Sequence, residues 1–388
     1  MRVAIITENF LPKLDGVTRT LARLLEHLEM YGHRALLLGP ESGMERYAGA
    51  EVVGTAGVPL PFYPELKFNF FRPLFIRRLR AFRPDVVHLI DPVVLGAAGL
   101  AAARFLGKPI VSSYHTNLAA YCGHFGFPIF TRPMWSYNRF IHNQCLLTFC
   151  PSPSTATALT RQGFERVRIW PRGVDTGLFH AGRRDEQLRA SWLAGRQQSD
   201  DVPVLLYAGR ISWEKNLRLL TRAYRGMNTR RCHLVIVGDG PALHEVRQEV
   251  ADLPVTFTGY LTGTQLAAAY ASADIFAFPS TSETFGQVVL EAMASALPVV
   301  GVRSEGVSDL VQHGKTGYLL DASRFSEQEQ VRNYRSFLES LLHDHTMRNG
   351  MGQAALREAR QRSWPAAMQR LFNGYAEALE VGEPLAAA

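Results

Sequence analysis

The chain lacks most of the marks that would settle its function cheaply. Its 388 residues hold four cysteines, Cys122, Cys145, Cys150 and Cys232, with no C-x-x-C pair and no regular spacing. Neither a disulfide framework nor a zinc site is expected, and a reducing cytoplasm is the default setting. No apolar run is long enough to span a bilayer, and Met1-Arg-Val-Ala-Ile-Ile-Thr7 begins directly on a strand pattern without a secretory leader. Any membrane role should be peripheral. The first strand is not followed by G-x-G-x-x-G, so a dinucleotide site is not indicated. No Asp-x-Asp occurs anywhere. That removes the carboxylate pair which commonly holds a divalent metal on a diphosphate, and neither a metal nor a cofactor is expected.

What the chain does have is an excess of cations. The 42 Lys and Arg against 35 Asp and Glu give a net charge of +7 and a pI near 9.3. Such a surface favours a polyanionic partner: a phosphorylated substrate, an anionic membrane face or a nucleic acid. No nucleic-acid module motif accompanies the charge, so nucleic acid is set aside. A hydrophobic content of 47% is that of a soluble globular protein, and the length is natural for two domains.

Short apolar runs at 3–7, 35–38, 85–89, 109–113, 146–150 and 166–169 read as buried strands, with helical apolar spacing between several of them. The run Arg172-Gly-Val-Asp175 reads as the exit from this set, and 180–201 as a polar connection containing some helix. A second set follows, with strands at 204–207, 233–237, 255–258, 274–278, 299–302 and 317–320 and helical patterns over 327–362 and 364–380. Strands alternating with helices imply parallel sheets with right-handed crossovers. The expected fold class is α/β, with two Rossmann-like domains facing a cleft. Residues 1–173 form the first domain and 174–363 the second, and the helix within 364–388 packs back on the first.

The chemistry concentrates after the second set's strands. Pro279-Ser-Thr-Ser-Glu283-Thr-Phe285-Gly286 joins the strand 274–278 to an apolar helix read as running to Leu297, with Pro298 as its stop. Glu283 lies at the strand's carboxyl end, where open α/β sheets bind ligands, and the N–H groups of Phe285 and Gly286 open the helix, a ready anion site. Glu291 follows on that helix among Val289, Leu290, Ala292 and Met293, surroundings that suit a solvated face poorly. Gly209-Arg210 and Lys215 follow another strand end, where a fork and a point charge could neutralise a diphosphate. Two solvated surface cations are the bland alternative. Gly238 marks one more tight strand-to-helix turn.

Taken in order, Gly209-Arg210…Lys215-Asn216, Val237-Gly-Asp-Gly-Pro241, Gly259-Tyr260-Leu261, Glu283-Thr-Phe-Gly…Glu291-Ala-Met-Ala and Gly314-Lys-Thr-Gly317 resemble the retaining glycosyltransferases of family 4, which have the GT-B fold and a Glu-x7-Glu signature. The likeness covers essentially the whole chain. It implies a nucleotide-sugar donor whose diphosphate is bound by Arg210 and Lys215. The transferred sugar would be held by Glu283 with the backbone of Phe285 and Gly286, the ribose by Glu291, and the base by the turn at Tyr260 and Leu261. In the first domain Asp15-Gly16 falls at the family's glycine loop, where many members have two glycines and this chain has one. His115, within Ser113-Tyr-His115-Thr116-Asn117, matches the active-site histidine, with Thr116 and Asn117 beside it. The implied chemistry is retention without an obvious protein nucleophile. Leaving-group stabilisation by Arg210 and Lys215 would do most of the work, the departing phosphate would take the acceptor proton, and His115 would position the sugar.

For the acceptor, the stretches Tyr114 to Tyr121 and Arg132-Pro-Met-Trp135 to His142, with a similar feel in Pro59 to Pro64, resemble the branch of sulfoquinovosyltransferases and diacylglycerol glycosyltransferases. That branch implies a lipid acceptor such as diacylglycerol at the cytoplasmic membrane face, and a uridine-linked donor such as UDP-sulfoquinovose or UDP-glucose. Phe68, Phe70, Phe71 and Phe75 interleave with Lys67, Arg72, Arg77, Arg78, Arg80 and Arg83 in the stretch from Phe62 to Arg83, a pattern suited to an anionic membrane surface or to an ordinary amphipathic helix with its phenylalanines in the core. A GDP-mannose-dependent transferase, a soluble acceptor, and a nucleotide-sugar epimerase on the same scaffold are the alternatives.

Overall fold

The computed structural model describes residues 1–12, 16–60, 63–119, 122, 127–194 and 202–386, and at 59–60, 63–68 and 382–386 the backbone alone. Asp15, Tyr121 and the side chains of Phe62, Lys67 and Phe68 therefore lie outside the described residues. The chain divides into two compact units, residues 1–172 with 364–388, and residues 173–363.

The first unit is built on β1 (Arg2–Thr7), β2 (Arg34–Pro40), β3 (Arg46–Tyr47), β4 (Ala50–Thr55), β5 (Gly57–Leu60), β6 (Tyr63–Asn69), β7 (Val86–Ile90), β8 (Ile110–Ser113), β9 (Leu147–Cys150) and β10 (Val167–Ile169). Eight of these form one sheet in the order β10-β9-β8-β7-β1-β2-β4-β3, and β5 pairs with β6 apart from it. All neighbours in the large sheet are parallel except β3 against β4. β7 and β9 are buried along their whole length and β1 from Val3 onward, which is why they read as unbroken apolar runs rather than alternating ones. One face is covered by the Gly16–Met30 helix, through Leu21, Leu24, Leu25 and Leu28, and by the Trp364–Ala386 helix, through Met368, Leu371 and Tyr375.

The second unit carries β11 (Val204–Ala208), β12 (His233–Val237), β13 (Val255–Gly259), β14 (Ile275–Phe278), β15 (Val299–Val302) and β16 (Gly317–Leu320), all parallel, in the order β13-β12-β11-β14-β15-β16. Both units are thus parallel-sheet α/β structures, as the alternation of strands and helices requires.

Three elements differ from the sequence reading. The helix after Pro279 spans Gln287–Ala294 and stops three residues before Leu297, because Ala296 takes a left-handed φ of 63° that no helix continues through. The pattern over 327–362 is two helices, Glu327–His343 and His345–Arg360, divided where Asp344 caps the second by accepting from the Met347 N–H. The basic helix Pro73–Phe82 keeps Arg72, Arg77, Arg78, Arg80 and Arg83 exposed, but Phe75 is fully buried with Phe71 packed edge-on to it at 5.2 Å. Those two aromatics belong to the core, and of Phe70, Phe71 and Phe75 only Phe70 is exposed.

Candidate active site

In an open wound sheet the crevice for a ligand opens where the strand order reverses. In the second unit that point lies between β11 and β14, and the loops that leave these two strands carry Arg210, Lys215 and Glu283. The turn Trp213–Lys215 and the left-handed Asn216 (φ 56°) aim Lys215 back across the strand ends. Its Nζ lies 2.6 Å from Glu283 Oε1, and the two side chains are 16% and 19% exposed. The Asn216 amide donates to the Pro279 carbonyl at 3.3 Å, and the Ser282 hydroxyl to the Glu214 carbonyl at 3.4 Å. Ser280 donates to Glu283 itself at 3.4 Å. The cation and the carboxylate are therefore held by crosslinks between their own loops.

The glycines at these strand ends are required by close packing. A Cβ on Gly238, whose φ is +136°, would lie 1.9 Å from the Gly209 carbonyl oxygen. The gap is closed by the Gly209 N–H donating to Val237 and the Gly238 N–H donating to Gly259. Arg210 is half-buried in the same loop, and its carbonyl accepts from the Tyr207 hydroxyl at 2.8 Å. Gly286 opens the Gln287–Ala294 helix with a φ of +88°, while the Phe285 side chain is buried in the core of this unit. Phe285 can thus offer a ligand only its backbone. Glu291 is 3% exposed and accepts from the Tyr270 hydroxyl at 3.2 Å. A solvated helix face is excluded for it, and the tyrosine beside it was not legible in the sequence. Tyr260 is half exposed after β13, and Leu261 packs partly against the core. An open depression of about 680 Å³ lined by Arg183, Arg184, Gln187, Thr264 and Gln265 shares only Leu261 with these residues, so it is a separate feature.

In the first unit the order reverses between β1 and β7. His115 and Thr116 follow β8, the next strand over. Asp91, which ends β7 at a left-handed φ of 43°, holds them: it accepts from the His115 N–H at 2.6 Å, the Thr116 N–H at 3.1 Å and the Thr116 hydroxyl at 2.7 Å. Burial pushes the Asp91 carboxyl up to about 6, against those hydrogen bonds and the Arg172 charge, which pull it down. The His115 ring is 4% exposed and meets Trp170 edge-on at 5.2 Å. Burial first, then the charges of Arg172, His88 and His142, hold it well below the ordinary histidine range, so it is a neutral imidazole near pH 7. Gly16 begins the first helix, and a Cβ there would lie 2.7 Å from Arg172 Nη1. Asn117 follows Thr116, half-buried.

Asp91 and Arg172 were not singled out from sequence. An acid closing an apolar strand in a wound sheet was the available signal for Asp91, whereas Arg172 stood in a run read as a domain exit. Asp91→Ala is expected to lower turnover about a hundredfold by releasing the loop that carries His115. If the diphosphate is bound by Arg210 and Lys215, as the family resemblance implies, nucleoside-diphosphate affinity should stay within about twofold, because every group that Asp91 holds lies in the first unit. Steady-state rates and calorimetric titration check the two halves of this expectation.

Two parallel-sheet units, with a cation and a carboxylate paired at the switch point of the second, are an arrangement suited to a glycosyltransferase that acts on nucleotide sugars. Comparison with known proteins agrees. The description "Glycosyltransferase Family 4" matches residues 14–178 and "Glycosyl transferases group 1" matches residues 202–332. A GDP-mannose-dependent α-mannosyltransferase of Mycolicibacterium smegmatis is 37% identical over 97% of this chain and 97% of its own length. Sulfoquinovosyl transferase SQD2 of Arabidopsis thaliana is 33% identical over 93% of this chain and 70% of its own. An α-monoglucosyldiacylglycerol synthase of Streptococcus pneumoniae is 26% identical over 82% and 75%. Among solved structures, Anabaena HepE in complex with UDP superposes with a TM-score of 0.77 at 19% identity over 97% of this chain and 100% of its own, a likeness of fold. The chain belongs to glycosyltransferase family 4 and has the GT-B fold.

Proposed function

We propose that this enzyme moves a hexosyl group, with retention at the anomeric carbon, from a uridine-linked nucleotide sugar to a lipid of the diacylglycerol type at a membrane face. The observation that carries the donor half is the Lys215–Glu283 pair at 2.6 Å over the ends of β11 and β14. It sets a phosphate-seeking cation beside a carboxylate able to accept sugar hydroxyls. In this reading Arg210 and Lys215 stabilise the departing diphosphate and Glu283 orients the sugar. Glu291 with Tyr270 serves the ribose, and Tyr260 and Leu261 border the base. In this reading His115 of the first unit, a neutral ring, carries no charge that would repel a cationic sugar in the transition state.

The lipid acceptor is supported by the likeness of 114–121 and 132–142 to the lipid-directed branch, and by a relative whose product is a glucosyldiacylglycerol. A second donor, GDP-mannose, is favoured by the 37% identity to the mycobacterial mannosyltransferase. A panel of UDP- and GDP-sugars offered with total membrane lipid, read by mass spectrometry, tests both halves. The expected result is a hexose-bearing lipid with one base strongly preferred. Sugar appearing only on water-soluble acceptors would overturn the lipid half. Isomerised donor formed without acceptor would overturn transfer altogether.

A further inference from the structure

The basic helix at 73–82 turns its buried aromatics inward, yet the first unit does carry an exposed aromatic surface elsewhere. The turn Pro128–Phe130 leads directly into the helix Thr131–Asn143. Ile129 is 78% exposed, Phe130 56% and Phe140 61%. Phe127 stands 6.4 Å from Phe130, ring to ring, and is 43% exposed. Along the helix Arg132, Pro133, Ser136, Arg139 and Phe140 are the exposed positions. That spacing of three and four residues makes a single stripe. The opposite side, with Asn138, Ile141 and His142, is buried. The helix thus spends its polar and aliphatic groups inside and shows phenylalanine and arginine outside.

The charge around this stripe is one-sided. From 92 to 164 the chain contains no Asp or Glu at all, in a protein with 35 such residues among 388, and it contains Arg104, Lys108, Arg132, Arg139 and Arg161. The side-chain bonds that Arg139, Asn143 and Tyr137 donate go to carbonyls, and the acids beside the helix are Glu165, whose N–H donates to Asn143 and whose carboxylate pairs with Arg166, and Glu8, half-buried near Tyr137. Arg139 donates to the Gln162 carbonyl, Asn143 to the Gly163 carbonyl, Arg104 to Gln144 at the helix end, and Tyr137 to the Val93 carbonyl. A face meant for a second protein would usually carry both signs at its rim. Large apolar side chains flanked mainly by cations, with the one acid at the helix end already paired to Arg166, complement negatively charged phospholipid headgroups.

We propose that the face formed by Phe127 to Phe130 and the Arg132–Phe140 stripe docks this enzyme on an anionic bilayer, the phenylalanines entering the headgroup boundary and Arg132 and Arg139 contacting lipid phosphates. The inference deepens the lipid-acceptor reading, which gives such docking a purpose, but binding itself needs no sugar.

Flotation of the full chain with phosphatidylglycerol vesicles and with phosphatidylcholine vesicles tests it. Binding to the former and little to the latter is expected. Arg132→Ala with Arg139→Ala should weaken partition about thirtyfold, on the usual contribution of an arginine near an anionic surface. Phe130→Ser with Phe140→Ser should weaken it at least tenfold. Arg77→Ala with Arg80→Ala on the other basic helix should change it less than threefold. Equal losses from that pair, or undiminished binding by the phenylalanine variant, would overturn the assignment. So would sedimentation showing that the face instead joins two copies of the chain. Should the variants fold poorly, hydrogen exchange of the unaltered protein decides: vesicles should protect 127–140, and unchanged exchange there would overturn the proposal. Docking at this face without any lipid product would leave the surface standing and remove the lipid-acceptor reading alone.

Discussion

Lys215→Ala is expected to reduce turnover by about a thousandfold, and Glu283→Gln by a similar factor, each near 4 kcal/mol of lost transition-state stabilisation. The two should fail differently. Lys215 is the point charge proposed for the diphosphate, so its removal should also weaken binding of UDP or GDP. Glu283 faces the sugar in this reading, so Glu283→Gln should leave nucleoside-diphosphate affinity within about twofold. The 2.6 Å pair adds a further expectation. Each partner holds the other in position, and combining the two variants should cost little more than either alone. Both side chains are nearly buried, so removing one leaves an uncompensated charge. Melting curves separate that structural cost from the catalytic one, and Glu283→Gln, which keeps the shape but leaves the Lys215 charge uncompensated, should melt below the unaltered protein by less than its catalytic loss would imply. Near-normal turnover in either single variant would remove these residues from the site.

The sequence made this half of the chemistry legible because it is a matter of spacing. Arg210 and Lys215 follow one apolar strand and Glu283 follows another. In a wound parallel sheet both strand ends face the same crevice, so two separate motifs could be placed together before any coordinates. Asp91 and Arg172 had no such partner in sequence. Their significance comes from three-dimensional contacts, the hydrogen bonds of Asp91 to the His115 loop and the approach of Arg172 to Gly16, which no periodicity encodes. The region 46–69 was equally opaque. Its strands are short, and Pro59, Pro64, Glu65 and Lys67 interrupt the alternation that marks a strand. The pattern from Phe62 to Arg83 left two readings open for a different reason: aromatic and basic residues interleave both on a membrane-facing helix and on one whose phenylalanines fill a core. Phe71 and Phe75 took the second course, because β1, β2 and β7 left an apolar surface of Ile6, Leu36, Leu38 and Leu89 to be covered.

The first unit should lose stability steeply with acid. His88 and His142 are fully buried and pushed down to about 3 by that burial, and His115 is held well below its ordinary value. Each is committed as a neutral ring, His88 to the Tyr375 hydroxyl at 2.7 Å and His142 to the Ser112 hydroxyl at 2.8 Å. Above pH 6.5 the folded and unfolded chains hold the same protons at these sites, and stability there is independent of pH. Below it the unfolded chain binds three protons that the folded chain refuses, so stability falls as pH drops from 6.5 toward 3. Asp91 works in the opposite sense. Between its unfolded value of 3.8 and its folded value of about 6, the folded state holds a proton that the unfolded state lacks. Glu8, raised by burial at the head of the Val94–Phe105 helix, adds to that opposition. The balance near pH 5 is about two protons or slightly fewer, a slope of up to roughly 2.7 kcal/mol per pH unit. Against an ordinary stability of about 5–15 kcal/mol, about two units of acidification below 6.5 would consume the margin at the lower end of that range, and about three units roughly half of it at the upper end. Urea midpoints measured from pH 7.5 to 5 should be flat above 6.5 and fall below it. His142→Gln, which preserves a partner for Ser112, should lower the slope by about 1.4 kcal/mol per pH unit. A midpoint that stays constant down to pH 5 would mean that these histidines accept protons in the folded state, and His115 could then not be the neutral ring that the sugar-transfer reading requires.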